Sequence, residues 1–305
     1  MQNKRIFIKI YFLIYTFAIS IVFMPITVFT PTYNRTYILP RLFQSLCDQT
    51  KKEFVWLVID DGSTDNTKEL IEEFKKVAPF EIKYIYQENQ GKHIAINRAL
   101  EEIKTDFFIT LDSDDYFTPD AIESCKSLAA KIAADRQNAG FTFIRAAENQ
   151  SFNMNDYGHL RWNKSENYNW KITGEMMFVL RTNIAKKYLF PVFKNERFCQ
   201  ESVMLNQILH RYEIVFTDHI LAFGDYLEDG LSQNLYHRLL NNPKYAMLAV
   251  KTKLQVVKSK EEKQQLAKNY WDIALKTGQP KLKAFADFPF YLNLITLKNL
   301  LLKKL

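Results

Sequence analysis

Asp112-Ser113-Asp114-Asp115 follows directly on the apolar run Phe107-Phe108-Ile109-Thr110-Leu111. Three carboxylates this close repel one another unless they share a cation. Their hard oxygens suit Mg²⁺ or Mn²⁺ better than zinc. A short apolar run reads as a buried strand, and open α/β sheets bind ligands at the carboxyl ends of their strands. The cluster therefore predicts a divalent cation held for a phosphate-bearing substrate. Taken alone it is short, and acidic residues also make turns. Pro119 and Asp120 mark a helix start soon afterwards, so the neighbours must decide.

Those neighbours alternate between strands and helices. Strands are predicted at 26–30, 54–59, 82–86, 107–111 and 141–144. Helices are predicted at 38–49, from Thr64 or Asp65 as cap to residue 77, at 93–102 and at 119–135. Leu39, Leu42, Phe43 and Leu46 fall on one face of the first helix. Such alternation implies an α/β fold with a mostly parallel sheet and right-handed crossovers. The loops after the first, second and fourth strands then share one edge, which gathers residues 31–35, 60–64 and 112–115. No GxGxxG and no P-loop Gly-Lys-Ser/Thr is present, which disfavours an ordinary dinucleotide site or a P-loop ATPase. Residues 146–169 are polar and irregular and read as a loop covering the site, with Trp162 and Trp170 placed to stack on a sugar or to fix the loop. Further helices are expected at 205–212 and across the basic stretch 242–277.

At 305 residues, 47% hydrophobic and 25% charged, the chain supports an ordinary globular core. Cys47, Cys125 and Cys199 are odd in number and match no zinc or disulfide spacing, so they read as reduced thiols of a cytosolic protein. The net charge of +7 is uneven: residues 236–305 hold 14 Lys and Arg against 4 Asp and Glu, leaving the rest of the chain net negative. That argues against nucleic acid as partner and fits a tail facing an anionic membrane.

Both ends are unusual. Residues 6–23 are almost wholly apolar, broken mainly by Lys9 and preceded by Lys4 and Arg5, as in a signal anchor. Yet the first strand begins only two residues after that run, which makes Met24 the competing start of the chain. At the other end, Phe285, Phe288, Phe290, Tyr291, Leu294, Ile295 and Leu297 mix with Lys298, Lys303 and Lys304, the composition of an interfacial anchor, and Pro289 interrupts any single helix. The expected organisation is an N-terminal extension over 1–24, a catalytic domain over 25–235 and a basic helical region over 236–305.

Four motifs occur in order: Ile26-Thr-Val-Phe-Thr-Pro-Thr-Tyr-Asn-Arg35, Val58-Ile-Asp-Asp-Gly-Ser-Thr-Asp65, Gln90-Gly-Lys-His93 with Asn97-Arg-Ala-Leu100, and Leu111-Asp-Ser-Asp-Asp-Tyr116. Together they resemble the family 2 glycosyltransferases, and the likeness extends through Glu196, Glu201 and 229–232. The resemblance implies a GT-A fold, a nucleoside-diphosphate sugar donor (often a UDP-sugar), Mn²⁺ or Mg²⁺, and inversion at the anomeric carbon. It further implies that Pro31, Thr32 and Tyr33 lie against the nucleobase, with Arg35 beside them. Asp61 would accept a hydrogen bond from the base, and Lys92 would reach ribose or diphosphate. Asp112 and Ser113 would lie near ribose or sugar, and Asp114 would bear on the metal, with Asp115 as a second ligand. An inverting displacement needs a base for the acceptor hydroxyl. Glu201 matches the family's position for it, with Glu196 as the alternative. The implied acceptor is a glycan or lipid-linked hydroxyl at the inner face of the cell membrane. The competing readings are a nucleotidyltransferase and a non-catalytic nucleotide-sugar-binding module.

Overall fold

The computed structural model describes residues 25–147, 160–161, 175–224, 230 and 234–294. The apolar N-terminal run, Trp162, Trp170 and residues 295–305 lie outside this set. The first four strands are β1 (Ile26–Thr32), β2 (Phe54–Asp60), β3 (Glu81–Tyr86) and β4 (Phe107–Thr110). They pair in parallel, with β1 between β2 and β4, and β3 at the outer edge. Every residue of β1 is buried, as expected of a central parallel strand covered on both faces.

Side chains of successive strand residues point to opposite faces, and the two cores follow from this. Ile26, Val28, Trp56 and Val58 face one layer. There they meet α1 (Leu39–Cys47), α2 (Thr67–Val77) and α4 (Ala121–Ile132) through Leu42, Phe43, Leu46, Ile71, Phe74 and Ile122. Phe29, Leu57 and Ile59 face the other layer. They meet Ala95, Ile96, Ala99 and Leu100 of α3 (Lys92–Glu102), and Val203, Met204 and Ile208 of α6 (Ser202–Leu209). Trp56 is fully buried, and its indole N–H donates to Thr30 Oγ1 at 3.0 Å, so its one polar atom is satisfied.

The sheet is less parallel than the alternation predicts. Beyond β4 lie β8 (Glu175–Arg181), β6 (Asn138–Ala146), β9 (Glu213–Gly224) and β5 (Asp115–Phe117), in that spatial order, with β7 (Leu160–Arg161) added against β9. β8 runs antiparallel to both β4 and β6, and β5 antiparallel to β9. A strand from late in the chain is thus inserted between β4 and β6, which adjacency in sequence cannot foretell. Among the helices, α2 has Asn66 at its cap position rather than Thr64 or Asp65, although Asp65 accepts the Thr67 N–H at 3.1 Å. The short α5 (Thr182–Ala185) follows β8.

The basic region folds as α7 (Leu235–Asn241), α8 (Pro243–Val256), α9 (Lys260–Lys276) and α10 (Lys281–Ala286), so the expected helical stretch is broken at 257–259. Ser259 caps α9 by accepting the Glu262 N–H. Tyr245 and Ala249 of α8 belong to the same core as α3 and α6. Phe288 and Leu292 pack inward on Tyr270 and Trp271, while Phe290, Tyr291 and Leu294 face out. The tail is therefore anchored to the fold on one side only. No helix among the described residues is long and apolar enough to cross a membrane.

Candidate active site

The carboxyl ends of β1, β2 and β4 lie side by side: Thr32 is level with Asp60, and Leu111 N–H donates to the Phe29 carbonyl at 2.8 Å. The loops leaving them are stitched together. Asn34, in the left-handed region at φ 53°, accepts the Thr64 N–H at 2.7 Å through its side chain. Its own N–H donates to Ser63 Oγ at 2.8 Å, and Thr36 donates to Asp65 from both backbone and hydroxyl. Pro31 and Thr32 are buried at the end of β1, and the Thr32 hydroxyl has no protein partner. Tyr33 is half exposed at the mouth, and Arg35 donates to the Tyr37 hydroxyl at 2.6 Å.

Asp61 does not cap a helix. Its carboxylate accepts Gln87 Nε2 at 2.7 Å, the Gln90 N–H at 2.9 Å and the Gly91 N–H at 2.7 Å. Burial pushes its pKa up in spite of these donors. The three bonds fix the 87–91 loop and so aim Lys92, the first residue of α3. Gly91 has φ 96°, and a Cβ there would lie 1.9 Å from the Arg197 carbonyl oxygen. Only glycine lets this turn and the 196–201 loop approach so closely.

Lys92 joins the two halves of the site. Its ammonium lies 2.6 Å from Asp112 and pairs on its other side with Glu201. Burial would depress its pKa, but the Asp112 and Glu201 carboxylates more than offset that and hold the ammonium above the ordinary lysine range. Glu201 stands at the N-terminus of α6 without accepting a capping hydrogen bond, and its side chain is 40% exposed. It therefore faces the pocket as an acceptor paired to one cation. Glu196 differs. Both its oxygens accept the Lys244 N–H, at 3.2 and 3.0 Å, and one also accepts the Tyr245 N–H at 3.1 Å. It caps α8 and is buried, which turns its carboxylate to the α8 backbone.

Oxygens of Asp112, Asp114 and Asp115 lie within 4.8 Å of one another. Burial and then the Asp112 charge raise the pKa of Asp114, and the same two causes push Asp115 up despite Arg145. Three crowded acids short of counter-charge fit a hard divalent cation. The turn is held from behind. Arg41 donates to the Asp114 carbonyl at 2.8 Å and lies over the Tyr116 ring, and Arg145 Nε donates to Asp115 at 2.6 Å. Gly224 stands opposite Asp115 on β9, and a Cβ there would lie 1.9 Å from Asp115 Oδ1.

Residues 27–189, more than half of the chain, match the model of Glycosyl transferase family 2. The chain belongs to that family. The fold agrees. The crystal structure of S. aureus TarS 1–349 in complex with UDP-GlcNAc superposes with a TM-score of 0.58 at 18% identity, over 82% of this chain and 72% of that one. The mannosyltransferase PcManGT from Pyrobaculum calidifontis, in complex with GDP-Man and Mn²⁺, gives 0.54 at 14% identity, over 92% and 80%. Both likenesses establish the GT-A fold. The E. coli chondroitin synthase is 33% identical over 100 residues, which are 33% of this chain and 14% of the synthase. The match thus covers a small part of that relative's length.

The structure of this glycosyltransferase brings Asp61, Lys92, Asp112, Ser113, Asp114, Asp115 and Glu201 to one sheet edge. Arg41, Arg145 and Gly224 escape sequence reasoning because each acts on the acidic turn from a distant element. Their signal, a buried arginine or a glycine in a strand, is common to many structural positions.

His93, beside Lys92, is buried against Tyr245 and Phe190, with ring centroids 4.4 and 5.8 Å away, and neither ring nitrogen has a partner. Burial lowers its pKa from 6.5 to about 4. Between those values the unfolded chain binds the extra proton, so stability rises with pH across this window and is fully present above 6.5. Acidification from about pH 7 to about pH 4 should therefore cost this site about 3 kcal/mol. His93→Leu should flatten that part of the slope, read by urea denaturation at about pH 5 and about pH 7.5. An unchanged slope in the variant would rule out His93 as its source.

Proposed function

We propose that this glycosyltransferase moves a sugar, with inversion, from a nucleoside-diphosphate sugar of the UDP type to a hydroxyl of a glycan or lipid-linked acceptor in surface-polysaccharide synthesis. The reading places the reaction in the cytoplasm at the inner membrane face, in a catalytic domain over 25–235. The observation that carries it is Lys92 spanning Asp112 and Glu201. One cation ties the acid that meets the donor's ribose and sugar to the acid that meets the acceptor. Support comes from neighbours of this fold whose structures contain UDP-GlcNAc, or GDP-Man with Mn²⁺, and from a relative that is a chondroitin synthase.

In this reading Tyr33, with Pro31 and Thr32, covers the nucleobase, Arg35 closes that side, and the remaining acceptor capacity of Asp61 orients the base. Asp112 and Ser113 meet ribose and sugar. Asp114, with Asp115 held behind it by Arg145, would hold Mn²⁺ or Mg²⁺, whose chemistry when bound is to neutralise charge on the departing diphosphate. Lys92 supplies a fixed positive charge beside the same oxygens. Glu201 takes the acceptor proton as the hydroxyl attacks.

The test incubates the chain with a panel of nucleotide sugars and Mn²⁺, Mg²⁺ or EDTA. Release of nucleoside diphosphate that EDTA abolishes supports transfer, and the product's anomeric coupling in NMR reports inversion. Turnover of nucleoside triphosphate instead would replace this reading by a nucleotidyltransferase. Donor binding without turnover would make the chain a binding module.

A further inference from the structure

The basic region holds a second recess, well removed from the acidic turn in sequence. It is a cavity of about 240 Å³ between α8, the end of α9 and α10. Its floor is apolar, with Phe193, Met247, Leu248 and Tyr270, and its rim carries Lys244, Lys251 and Lys283. None of these three ammoniums pairs with a carboxylate among the described residues, although other lysines of the chain, such as Lys276 with Asp272, do so. Lys244 lies over the Phe193 ring, 5.7 Å from its centroid. Asp287 is the single carboxylate on the rim, set against three cations.

Three unpaired ammoniums around an apolar floor suit an anion that carries hydrocarbon with it. The surface beside the cavity has the same double character. Leu282 is 88% exposed, Phe290 64%, Tyr291 55% and Leu294 50%. Phe290, Tyr291 and Leu294 follow the turn at Pro289, which Phe288 and Leu292 hold to the fold, and Leu282 stands on α10, next to Lys283 in sequence. Exposed apolar side chains beside lysines bury in the headgroup boundary of a bilayer, and lysines near an anionic surface add about 1 kcal/mol each. Free phosphate would use the lysines and leave the apolar floor and the exposed apolar side chains unexplained. An acidic protein partner would not require so many aliphatic and aromatic groups next to a lysine cavity.

We propose that this cavity takes the phosphate headgroup of an anionic phospholipid, and that Leu282, Phe290, Tyr291 and Leu294 enter the bilayer around it. The docking surface is a discrete site, not a diffuse basic face. It also connects to the active-site edge, because the α8 start that carries Lys244 is capped by Glu196, five residues before Glu201.

Flotation of the full chain with vesicles tests this without donor or acceptor, so its outcome is independent of the transfer reading. The chain should float with phosphatidylcholine–phosphatidylglycerol vesicles and far less with phosphatidylcholine alone. Lys244→Gln/Lys251→Gln/Lys283→Gln should lower the partition coefficient at least about tenfold. Lys258→Gln/Lys260→Gln/Lys263→Gln makes the same charge change at the opposite end of α9, a helix about 25 Å long, and should lower it less than about threefold. Phe290→Ser/Leu294→Ser should weaken binding with every charge kept, and arginine at the three cavity positions should preserve it. Should the glutamine variant fail to fold by circular dichroism, the arginine and serine variants decide the matter. Equal losses in the two glutamine triples, or indifference to phosphatidylglycerol, would overturn the proposal. So would full binding by the serine variant.

Discussion

Asp114→Asn is expected to lower sugar transfer about a thousandfold, the scale of losing one fixed electrostatic partner of a developing charge. The fold should not suffer. The Asp114 side chain forms no ion pair among the described residues, and the turn is held through its backbone carbonyl by Arg41. Its pKa is raised by burial and by Asp112, so its charge is unfavourable in the folded chain without a cation. Asparagine removes that cost. The melting temperature without metal should therefore stay level or rise, and the stabilisation that added Mn²⁺ gives the native chain should shrink. Steady-state rates and melting curves, each with Mn²⁺ and with EDTA, make the comparison. Activity within tenfold of the native chain would remove Asp114 from the metal site.

Asp115 should behave differently, although it sits one residue away. Arg145 of β6 holds it, and Gly224 leaves room for the pair. Breaking a buried ion pair strands the remaining charge and costs several kcal/mol. A loss of activity at Asp115 would thus mix chemistry with folding, whereas the loss at Asp114 separates them.

The parts of the site that could be read from sequence are those where chemistry is contiguous. The acidic turn and the Asp60-Asp61-Gly62 turn each announce themselves at the end of a short apolar run, the Gly91-Lys92 helix start follows β3 by a short polar loop, and parallel pairing brings the strand ends together. Beyond β4 only β6 was legible as a strand, and the order of the strands there was not. β8 is seven residues of mostly apolar character with no clean alternation, and nothing local says that it lies between β4 and β6. Glu196 and Glu201 looked alike in sequence. They differ because the start of α8, more than forty residues later, claims one of them. The pairing of Lys92 with Glu201 is similarly non-local. Likewise the aromatic tail read as an interfacial anchor interrupted at Pro289, and the packing of Phe288 and Leu292 against α9 shows which of its described residues face out.

Glu201→Gln is the substitution that isolates the acceptor side. The two side chains have the same shape, and the amide oxygen can still accept from Lys92, so the pocket keeps its geometry. A neutral amide cannot take a proton. Transfer should fall about a thousandfold, within the range that positioned acid–base groups contribute, and the fall should appear in kcat. The KM for the donor should stay within severalfold, because donor-side groups Asp61, Asp112 and Asp114 are untouched. Glu196→Gln provides the contrast. Its carboxylate accepts backbone N–H groups at the start of α8, a charge-assisted contact that also offsets the helix dipole. That variant should lose stability, by about 1 kcal/mol, and keep most of its kcat at a temperature where it is folded. The opposite pattern, with kcat collapsing at Glu196 and surviving at Glu201, would move the base five residues upstream and leave Lys92 as a structural bridge alone.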